Sequence, residues 1–261
     1  MDLGLKGKVA LVFGASGGLG AAMASSLAAE GAKVALAGRN MTALSALAAS
    51  LRNKGADVLE LGWDLADLSL IDSHFAKIES TLGPVDILIN NTGGPPPSPA
   101  ANVAADLWEA QFRAMVVCVI KITDRALPQM RARKWGRIIT STSSGVIAPI
   151  PNLGVSNALR ATLVGWSKTL AREVAADGIT CNVILPGRIA TPRIAQLDQA
   201  RAGREKLAID DVVRQSLAQI PAGRYGDPAE YGDVAAFLAS ARASYVTGTV
   251  VRVDGGYIAS I

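Results

Sequence analysis

The sequence predicts an α/β protein with a doubly wound parallel sheet and helices on both of its faces. Seven short apolar runs alternate with segments of helical pattern along the 261 residues. These runs are almost continuously apolar, which is typical of parallel strands buried on both faces. We therefore expect a seven-stranded sheet with strands at Val9–Phe13, Lys33–Ala37, Val58–Leu61, Val85–Asn90, Arg137–Ser141, Thr180–Leu185 and Val250–Val253.

Composition and charge predict one domain over residues 1–261. Half of the residues are apolar, which is enough for a large core, and no linker divides the chain. The net charge is +4, and the basic residues are scattered apart from Arg131, Arg133, Lys134 and Arg137. We interpret this cluster as a solvated helix end, so no nucleic-acid partner is expected.

Cysteine and histidine usage limits the chemistry further. Cys118 and Cys181 both lie in apolar runs and are expected to be buried thiols in a reducing compartment. With His74 as the single histidine, no metal site is expected. No signal pattern precedes the first strand and no apolar segment is long enough for a bilayer, so we expect a cytoplasmic protein without a membrane partner.

The first strand leads into a glycine-rich turn, K-V-A-L-V-F-G-A-S-G-G-L-G, and then into a helix. Backbone N–H groups and the positive end of the helix converge there, which suits a pyrophosphate and predicts a Rossmann-type dinucleotide fold. Gly14 permits the sharp turn, Gly18 the close approach of a ligand, and Gly20 the packing of helix on strand. The predicted cofactor contacts in this turn are Gly14, Ser16, Gly18, Leu19 and Gly20.

The end of the second strand indicates which dinucleotide is bound. Gly38 occupies the place where an acidic residue would bind a ribose hydroxyl, and Arg39 follows it. An arginine offers a planar cation to a 2′-phosphate, so the sequence favours NADP(H) over NAD(H). The alternative is that Arg39 is a solvent-exposed arginine at a helix start.

A proline-rich loop, Gly93–Pro99, follows the fourth strand. Prolines make this segment stiff and extended, and it leaves the carboxyl end of a strand, where such sheets bind ligands. It is either a wall of a substrate pocket or a rigid connector.

Several motifs in a fixed order resemble the short-chain dehydrogenase/reductase family over the whole chain, most closely its β-ketoacyl-carrier-protein (3-oxoacyl-carrier-protein) reductase-like branch. After the glycine turn these motifs are Trp63-Asp64-Leu65, Asn90-Asn91-Thr92-Gly93, Gly136-Arg137-Ile138-Ile139, Pro186-Gly187 with Thr191, Tyr245-Val246-Thr247-Gly248 and Val253-Asp254-Gly255-Gly256.

The resemblance implies further cofactor contacts at strand ends and loops. Asp64 and Leu65 would border the adenine, and Asn91 and Gly93 the adjoining ribose region. The segment expected at the nicotinamide carboxamide contributes Pro186, Gly187, Ile189 and Thr191. Each of these residues also has a simpler interpretation as turn chemistry or helix capping.

The catalytic residues of the family are largely replaced. The family pattern has an asparagine, a serine, a tyrosine and, one helical turn after the tyrosine, a lysine. Ser143 occupies the serine position, but Ser156 stands at the tyrosine position, Arg160 at the lysine position and Met115 near the asparagine position. A tyrosine of pKa about 10 beside a lysine can donate a proton near neutrality, whereas serine is a weaker acid and arginine, with a pKa above about 12, is no proton shuttle.

Three interpretations of this site remain open. In the first, the protein is an NADP(H)-dependent carbonyl reductase or alcohol dehydrogenase that uses Ser143, Ser156, the charge of Arg160 and bulk water. In the second, it binds the dinucleotide without redox chemistry and has a regulatory or structural role. In the third, Arg160 binds a substrate carboxylate or phosphate for chemistry other than hydride transfer.

A polar, helix-prone insert at about 188–221 is expected to form a lid over a small carbonyl or alcohol substrate. Its arginines either favour an anionic substrate or are exposed lid charges: Arg188, Arg193, Arg201 and Arg204. Proteins similar to this one pair long helices, here about 104–133 and 153–176, and the C-terminal strand. We therefore expect a homotetramer, with a dimer as the second possibility.

Overall fold

One seven-stranded parallel sheet forms the centre of the protein. The computed structural model describes residues 1–261, and the strand order is β3-β2-β1-β4-β5-β6-β7. Every neighbouring pair is parallel, which confirms the predicted fold class. The strands are β1 Val9–Phe13, β2 Lys33–Gly38, β3 Val58–Gly62, β4 Ile87–Asn90, β5 Gly136–Ser141, β6 Ile179–Pro186 and β7 Val250–Val253.

Nine α-helices surround the sheet. They are α1 Gly18–Ala29, α2 Met41–Arg52, α3 Ile71–Thr81, α4 Ala105–Phe112, α5 Cys118–Ala132, α6 Gly154–Val174, α7 Pro192–Glu205, α8 Ile209–Ala218 and α9 Pro228–Ala239. No helix combines the length and the hydropathy that crossing a membrane requires.

Two hydrophobic clusters, one on each face of the sheet, explain the continuous apolar strands. Along β1, Leu11 and Phe13 belong to a cluster with residues of α3, α5 and α6. Ala10 and Val12, which alternate with them, belong to a second cluster with residues of α1, α2 and α9. Because successive side chains of a strand point to opposite faces, both faces of β1 must be apolar.

The helix expected over about 104–133 is interrupted. Between α4 and α5, residues Arg113–Val117 form a single π-helical segment. Met115 lies in it, is 2 % exposed, and packs in the cluster on the α5 face of the sheet. Met115, near the position of the family's catalytic asparagine, is therefore a core side chain.

The basic cluster before β5 is not wholly solvated, so that part of the interpretation is wrong. Arg137 is 2 % exposed. Its guanidinium lies 4.5 Å from the Trp135 ring centroid and its Nε donates to the carbonyl of Ser240 at 3.1 Å. The apolar ring and the carbonyl acceptors replace water around this charge.

The strand order reverses between β1 and β4, which are neighbours in the sheet but not in sequence. Connections leave these two strands toward opposite faces, so a crevice opens at their carboxyl ends. The glycine turn after β1 and the proline-rich loop after β4 both lie at this crevice.

Candidate active site

The turn between β1 and α1 is packed so closely at Gly14 and Gly20 that side chains are excluded from these two positions. Gly14 has a φ of +62°, and a Cβ there would lie 2.6 Å from Nδ2 of Asn91. A Cβ on Gly20 would lie 2.2 Å from the carbonyl oxygen of Gly14. Asn91 donates from Nδ2 to the carbonyl of Phe13 at 3.1 Å and so holds the end of β4 against the turn.

The start of α1 suits an anion. Gly17 precedes the helix without a side-chain cap, and no acidic residue lies in the first turn. The first N–H groups of a helix have no partner within it, and the helix dipole makes this end positive. A phosphate is the ligand that satisfies both features.

A cavity of about 930 Å³ runs from this turn to the start of α6. It brings together most of the predicted site residues. Those on the cofactor side are Gly14, Ser16, Gly18, Leu19, Arg39, Asn91, Gly93, Pro186, Gly187, Ile189 and Thr191. Those on the catalytic side are Ser143, Ser156 and Arg160.

Three predicted cofactor residues do not line the cavity. Gly20 is buried beneath the turn, where it lets α1 approach Gly14. The Asp64 carboxylate accepts from the N–H of Ala66 at 3.0 Å and so stabilises its own turn. Leu65 packs against the core cluster on the α3 face. For Asp64 and Leu65 the structure shows turn and packing roles, and the adenine contact stays a prediction.

The part of the cavity beside the end of β2 carries an unpaired cation. Arg39 is exposed and lines the cavity, and none of the ion pairs in the structure includes it. Beside it, a Cβ on Gly38 would lie 3.3 Å from the Ser16 hydroxyl. Because Gly38 has no side chain, nothing fills the space between the Ser16 hydroxyl and the end of β2. The Ser16 hydroxyl and the Arg39 guanidinium therefore line the same part of the cavity.

Two serine hydroxyls lie at the other end of the cavity. Ser143 follows β5, and its Oγ accepts from the N–H of Gly145 at 3.1 Å, which leaves its own hydrogen free to donate. Ser156 lies in the first turn of α6 and is 8 % exposed. The loop after β6 also approaches the glycine turn, since a Cβ on Gly18 would lie 3.7 Å from Thr191.

Arg160, one helical turn after Ser156, is a buried cation without an acidic neighbour. It is 9 % exposed. Its Nη1 donates to the carbonyl of Ser141 at 3.4 Å and its Nη2 to that of Gly93 at 3.2 Å. Burial lowers the pKa of Arg160 from 12.5 to about 10, with Tyr231 raising it and Arg193 lowering it to smaller extents. The guanidinium therefore stays charged at neutral pH.

No buried phenol replaces the missing tyrosine. Tyr231 of α9 is fully buried and donates to the carbonyl of Ile184 at 3.2 Å. Its hydroxyl oxygen lies 2.9 Å from Oγ of Ser141. Burial raises the pKa of Tyr231 well above 10.0, and its ring belongs to the cluster on the α9 face. It is a structural hydroxyl and does not line the cavity.

The segment expected to form a lid folds as α7 and α8. Arg188 forms an ion pair with Asp198 of α7, and the Tyr225 hydroxyl donates to the same carboxylate at 2.8 Å. Asp198 is 3 % exposed, so this is a partly buried network that ties α7 to the segments on either side of the lid. Of the four lid arginines, Arg188 therefore has a structural role, because it holds α7 through Asp198.

Arg193 is the residue whose position sequence reasoning missed. It follows Thr191-Pro192 at the start of α7 and lines the cavity opposite Arg160. A Cβ on Gly94 would lie 3.5 Å from Nη2 of Arg193 and 3.6 Å from Nη2 of Arg160. No local pattern relates residues on two helices to a glycine of the proline-rich loop, so no sequence signal identifies this pair.

Known proteins resemble the chain over nearly its whole length. The family described as "Enoyl-(Acyl carrier protein) reductase" matches residues 14–258. The 3-oxoacyl-acyl-carrier-protein reductase FabG of Escherichia coli is 38% identical over 257 residues, 97% of this chain and 98% of that protein. The L-sorbose reductase of Gluconobacter frateurii, solved with NADPH and L-sorbose, has a TM-score of 0.94 at 33% identity, with 100% of both chains covered. YwfH, an NADPH-dependent reductase involved in bacilysin biosynthesis, has a TM-score of 0.92 at 33% identity, covering 97% of this chain and 99% of that one.

Proposed function

Because the chain belongs to the short-chain dehydrogenase/reductase family, we propose that it is an NADP(H)-dependent oxidoreductase that interconverts a carbonyl and an alcohol on a small molecule. The observation that carries the choice of cofactor is the unpaired Arg39 beside Ser16, at the end of the cavity opposite the serine hydroxyls. A 2′-phosphate there would receive a planar cation and a hydroxyl donor, whereas NAD(H) would leave both without a partner.

The residues present fit a dinucleotide. Side chains are excluded from Gly14 and Gly20, and the uncapped start of α1 offers N–H groups to a pyrophosphate. Pro186, Gly187 and Thr191 would hold the nicotinamide end, across the crevice from Gly18. When bound, NADPH supplies the hydride that reduces a carbonyl carbon.

The chain's own side chains would bind the substrate oxygen and stabilise the charge that develops on it. Ser143 and Ser156 would donate hydrogen bonds to the substrate oxygen, and the charge of Arg160 would stabilise the negative charge that develops on it. Neither serine has an adjacent histidine or lysine that could act as a base, so the proton on the product hydroxyl comes from bulk water through the cavity. We therefore propose an atypical active site, without the relay of a tyrosine and a lysine.

One observation favours a second candidate, an NADP(H)-binding protein without redox activity and with a regulatory or structural role. Of the residues at the four family positions, only Ser143 is retained, and Met115 is part of the core. The hydrogen-bonded chain of such relays acts as a unit, so the loss of several members costs far more than the loss of one.

The experiment that separates these candidates begins with a fluorescence titration of the protein with NADPH and with NADH. It continues with an assay of NADPH oxidation in the presence of ketones, diketones and quinones. Tight NADPH binding with turnover supports the reductase, and tight binding without turnover supports the second candidate. Failure of both nucleotides to bind contradicts both.

Substitutions that restore the family's tyrosine and lysine test whether the site lacks only a proton donor. In Ser156→Tyr with Arg160→Lys, we expect turnover of neutral ketones to rise if only the proton donor was missing. The matched control is Ala46→Tyr with Ser50→Lys, which has the same spacing on an exposed face of α2. An equal rise in this control would mean that the gain is not a property of the site.

We further propose a cytoplasmic homotetramer, with a dimer as the second possibility. The two thiols support a reducing compartment, since Cys118 and Cys181 are buried and unpaired. Support for assembly comes from aromatic side chains left exposed on α4 and near β7.

A further inference from the structure

The charges around the cavity are strongly one-sided. Six arginines line it, with a single carboxylate, Asp198. That carboxylate is already paired with Arg188, and the lid residues Arg201 and Arg204 are both paired with Glu205. Arg39, Arg160 and Arg193 remain, and none of the ion pairs in the structure includes any of them.

Two of these three cations lie together, far along the cavity from Arg39. The Nη2 atoms of Arg160 and Arg193 lie 3.6 Å and 3.5 Å from the point where a Cβ on Gly94 would stand. Arg160 comes from α6 and Arg193 from α7, so two helices bring one guanidinium each to the space above Gly94. Gly94 leaves this space free of a side chain.

Their hydrogen bonds leave donors for a ligand. Arg160 uses one donor on the carbonyl of Ser141 and one on that of Gly93. Arg193 reaches only the carbonyl of Pro95, at 3.5 Å. The other N–H donors of both guanidinium groups have no protein acceptor. Two like charges held together, one of them nine-tenths buried, repel each other unless an anion lies between them.

We propose that Arg160 and Arg193 form a carboxylate-binding subsite above Gly94, and that the substrate is an oxoacid in one direction of the reaction and a hydroxyacid in the other. This inference rests on the proposed oxidoreductase function. The planar edge of a guanidinium matches a carboxylate in two parallel hydrogen bonds.

A carboxylate fits this subsite better than a phosphate does. Removing a dianion from water costs more than removing a monoanion, and Arg160 is buried. Phosphates have other places in the cavity, namely the start of α1 and the exposed Arg39. Ser141, whose carbonyl accepts from Arg160, lies two residues before Ser143, so a carboxylate held here brings a nearby carbonyl group toward the serine hydroxyls.

The test is a calorimetric titration of the NADP⁺-saturated protein with acetate, 2-oxobutanoate and 4-oxopentanoate, and with methyl 4-oxopentanoate as a neutral analogue. We expect 4-oxopentanoate to bind at least about tenfold more tightly than its ester, because only the acid forms charge-assisted hydrogen bonds. Arg160→Met and Arg193→Met should each remove at least about tenfold of the acid's affinity and lower the affinity for the ester by less. Arg214→Met is the control, since this exposed arginine of α8 does not line the cavity.

Four results would overturn the subsite. The first two are equal affinities for 4-oxopentanoate and its methyl ester, and no binding of any of the three acids. The third is a higher affinity for inorganic phosphate than for 4-oxopentanoate, and the fourth is that the two arginine variants weaken NADPH binding but leave the acid's affinity unchanged. The last would mean that the two arginines serve the phosphates of the cofactor. If neither nucleotide binds, the proposed function fails by itself, and titration of the protein without nucleotide still decides whether the arginine pair binds carboxylates.

Discussion

At the scale of single residues, we expect the buried charge of Arg160 to support ligand binding and to lower the stability of the folded protein. Its charge is buried without an acidic partner, and carbonyl oxygens replace only part of the lost hydration. Arg160→Met keeps a long side chain and removes the charge. We expect it to raise the free energy of unfolding by about 1–3 kcal/mol while it weakens carboxylate binding. Urea denaturation of the protein without ligands measures this, with Arg214→Met expected to change stability by less than about 0.5 kcal/mol.

The pH dependence of that difference follows from the direction of the shift. The pKa of Arg160 is lowered from 12.5 to about 10 in the folded state. The unfolded chain therefore holds the proton more firmly, and the penalty is complete below pH 10. The stability gained by Arg160→Met should be constant from pH 6 to about 9 and shrink as the pH rises further. A gain that increased with alkaline pH, or a destabilised variant, would contradict an unpaired buried charge.

Arg39 carries the second prediction at this scale. Its guanidinium is exposed, so its contribution to binding is screened by salt. Arg39→Gln should weaken NADPH binding by about 10–100-fold and leave NADH binding within about threefold, because only NADPH has a phosphate at that position. Fluorescence titrations at two ionic strengths measure both constants, with Arg214→Gln as the charge-matched control. Equal losses for the two nucleotides would assign Arg39 to the fold and not to the 2′-phosphate.

At the scale of elements, the strands were predictable because their signal is local. Each strand is a short apolar run, and all seven predicted runs form strands, with end positions shifted by at most two residues. The glycine turn was predictable because its glycines recur at a short spacing after an apolar strand, whereas the contacts of Gly14 and Gly20 with the distant Asn91 were not. The π-helical segment at Met115 and the pairing of Arg160 with Arg193 have no such signal, because packing between distant segments produces them.

The start of α9 gives a prediction for an element. Asp227 and Glu230 form a capping box, and Arg224 holds the Glu230 carboxylate. Hydrogen bonds from Arg224 and from the N–H of Asp227 lower the pKa of Glu230 from 4.5 to about 2. Because the folded-state pKa is lowered, the charge stabilises the protein above pH 4.5, and this contribution is lost as the pH falls toward 2.

Glu230→Gln should therefore lower the melting temperature at pH 7 and have a diminishing effect as the pH falls from 4.5 toward 2. Thermal unfolding followed by circular dichroism at several pH values measures both differences. Asp233→Asn is a control for the loss of one carboxylate on the same helix, because the asparagine oxygen can still accept the hydrogen bond from Ser26 of α1. A Glu230→Gln effect that is independent of pH would show that packing, and not the charge, accounts for the loss. Because α9 packs against α1, we expect loosening of this cap also to loosen the helix whose start is proposed to bind the cofactor.

At the scale of the whole molecule, two separate surfaces are poorly covered by the chain itself. Phe237 of α9 is 41% exposed and Tyr245, shortly before the edge strand β7, is 101% exposed. Phe112, on α4, is 42% exposed. An edge strand with exposed aromatic side chains nearby is a surface that proteins usually cover with another chain. An interface at Phe112 of α4 in addition to one at β7 would give a tetramer with two kinds of twofold interface, whereas an interface at β7 alone would give only a dimer.

Substitutions on the two surfaces test this arrangement. Tyr245→Glu with Phe237→Glu should convert a tetramer to a dimer by removing the β7 interface, and Phe112→Glu should do the same through α4, because a buried charge without a partner is costly in an interface. All three substitutions together should give monomers. Light scattering during size-exclusion chromatography measures the masses, and NADPH titration of each variant checks that the cavity is intact. A monomeric parent protein would contradict the proposed assembly, and a triple variant that remains tetrameric would show that the interfaces lie elsewhere.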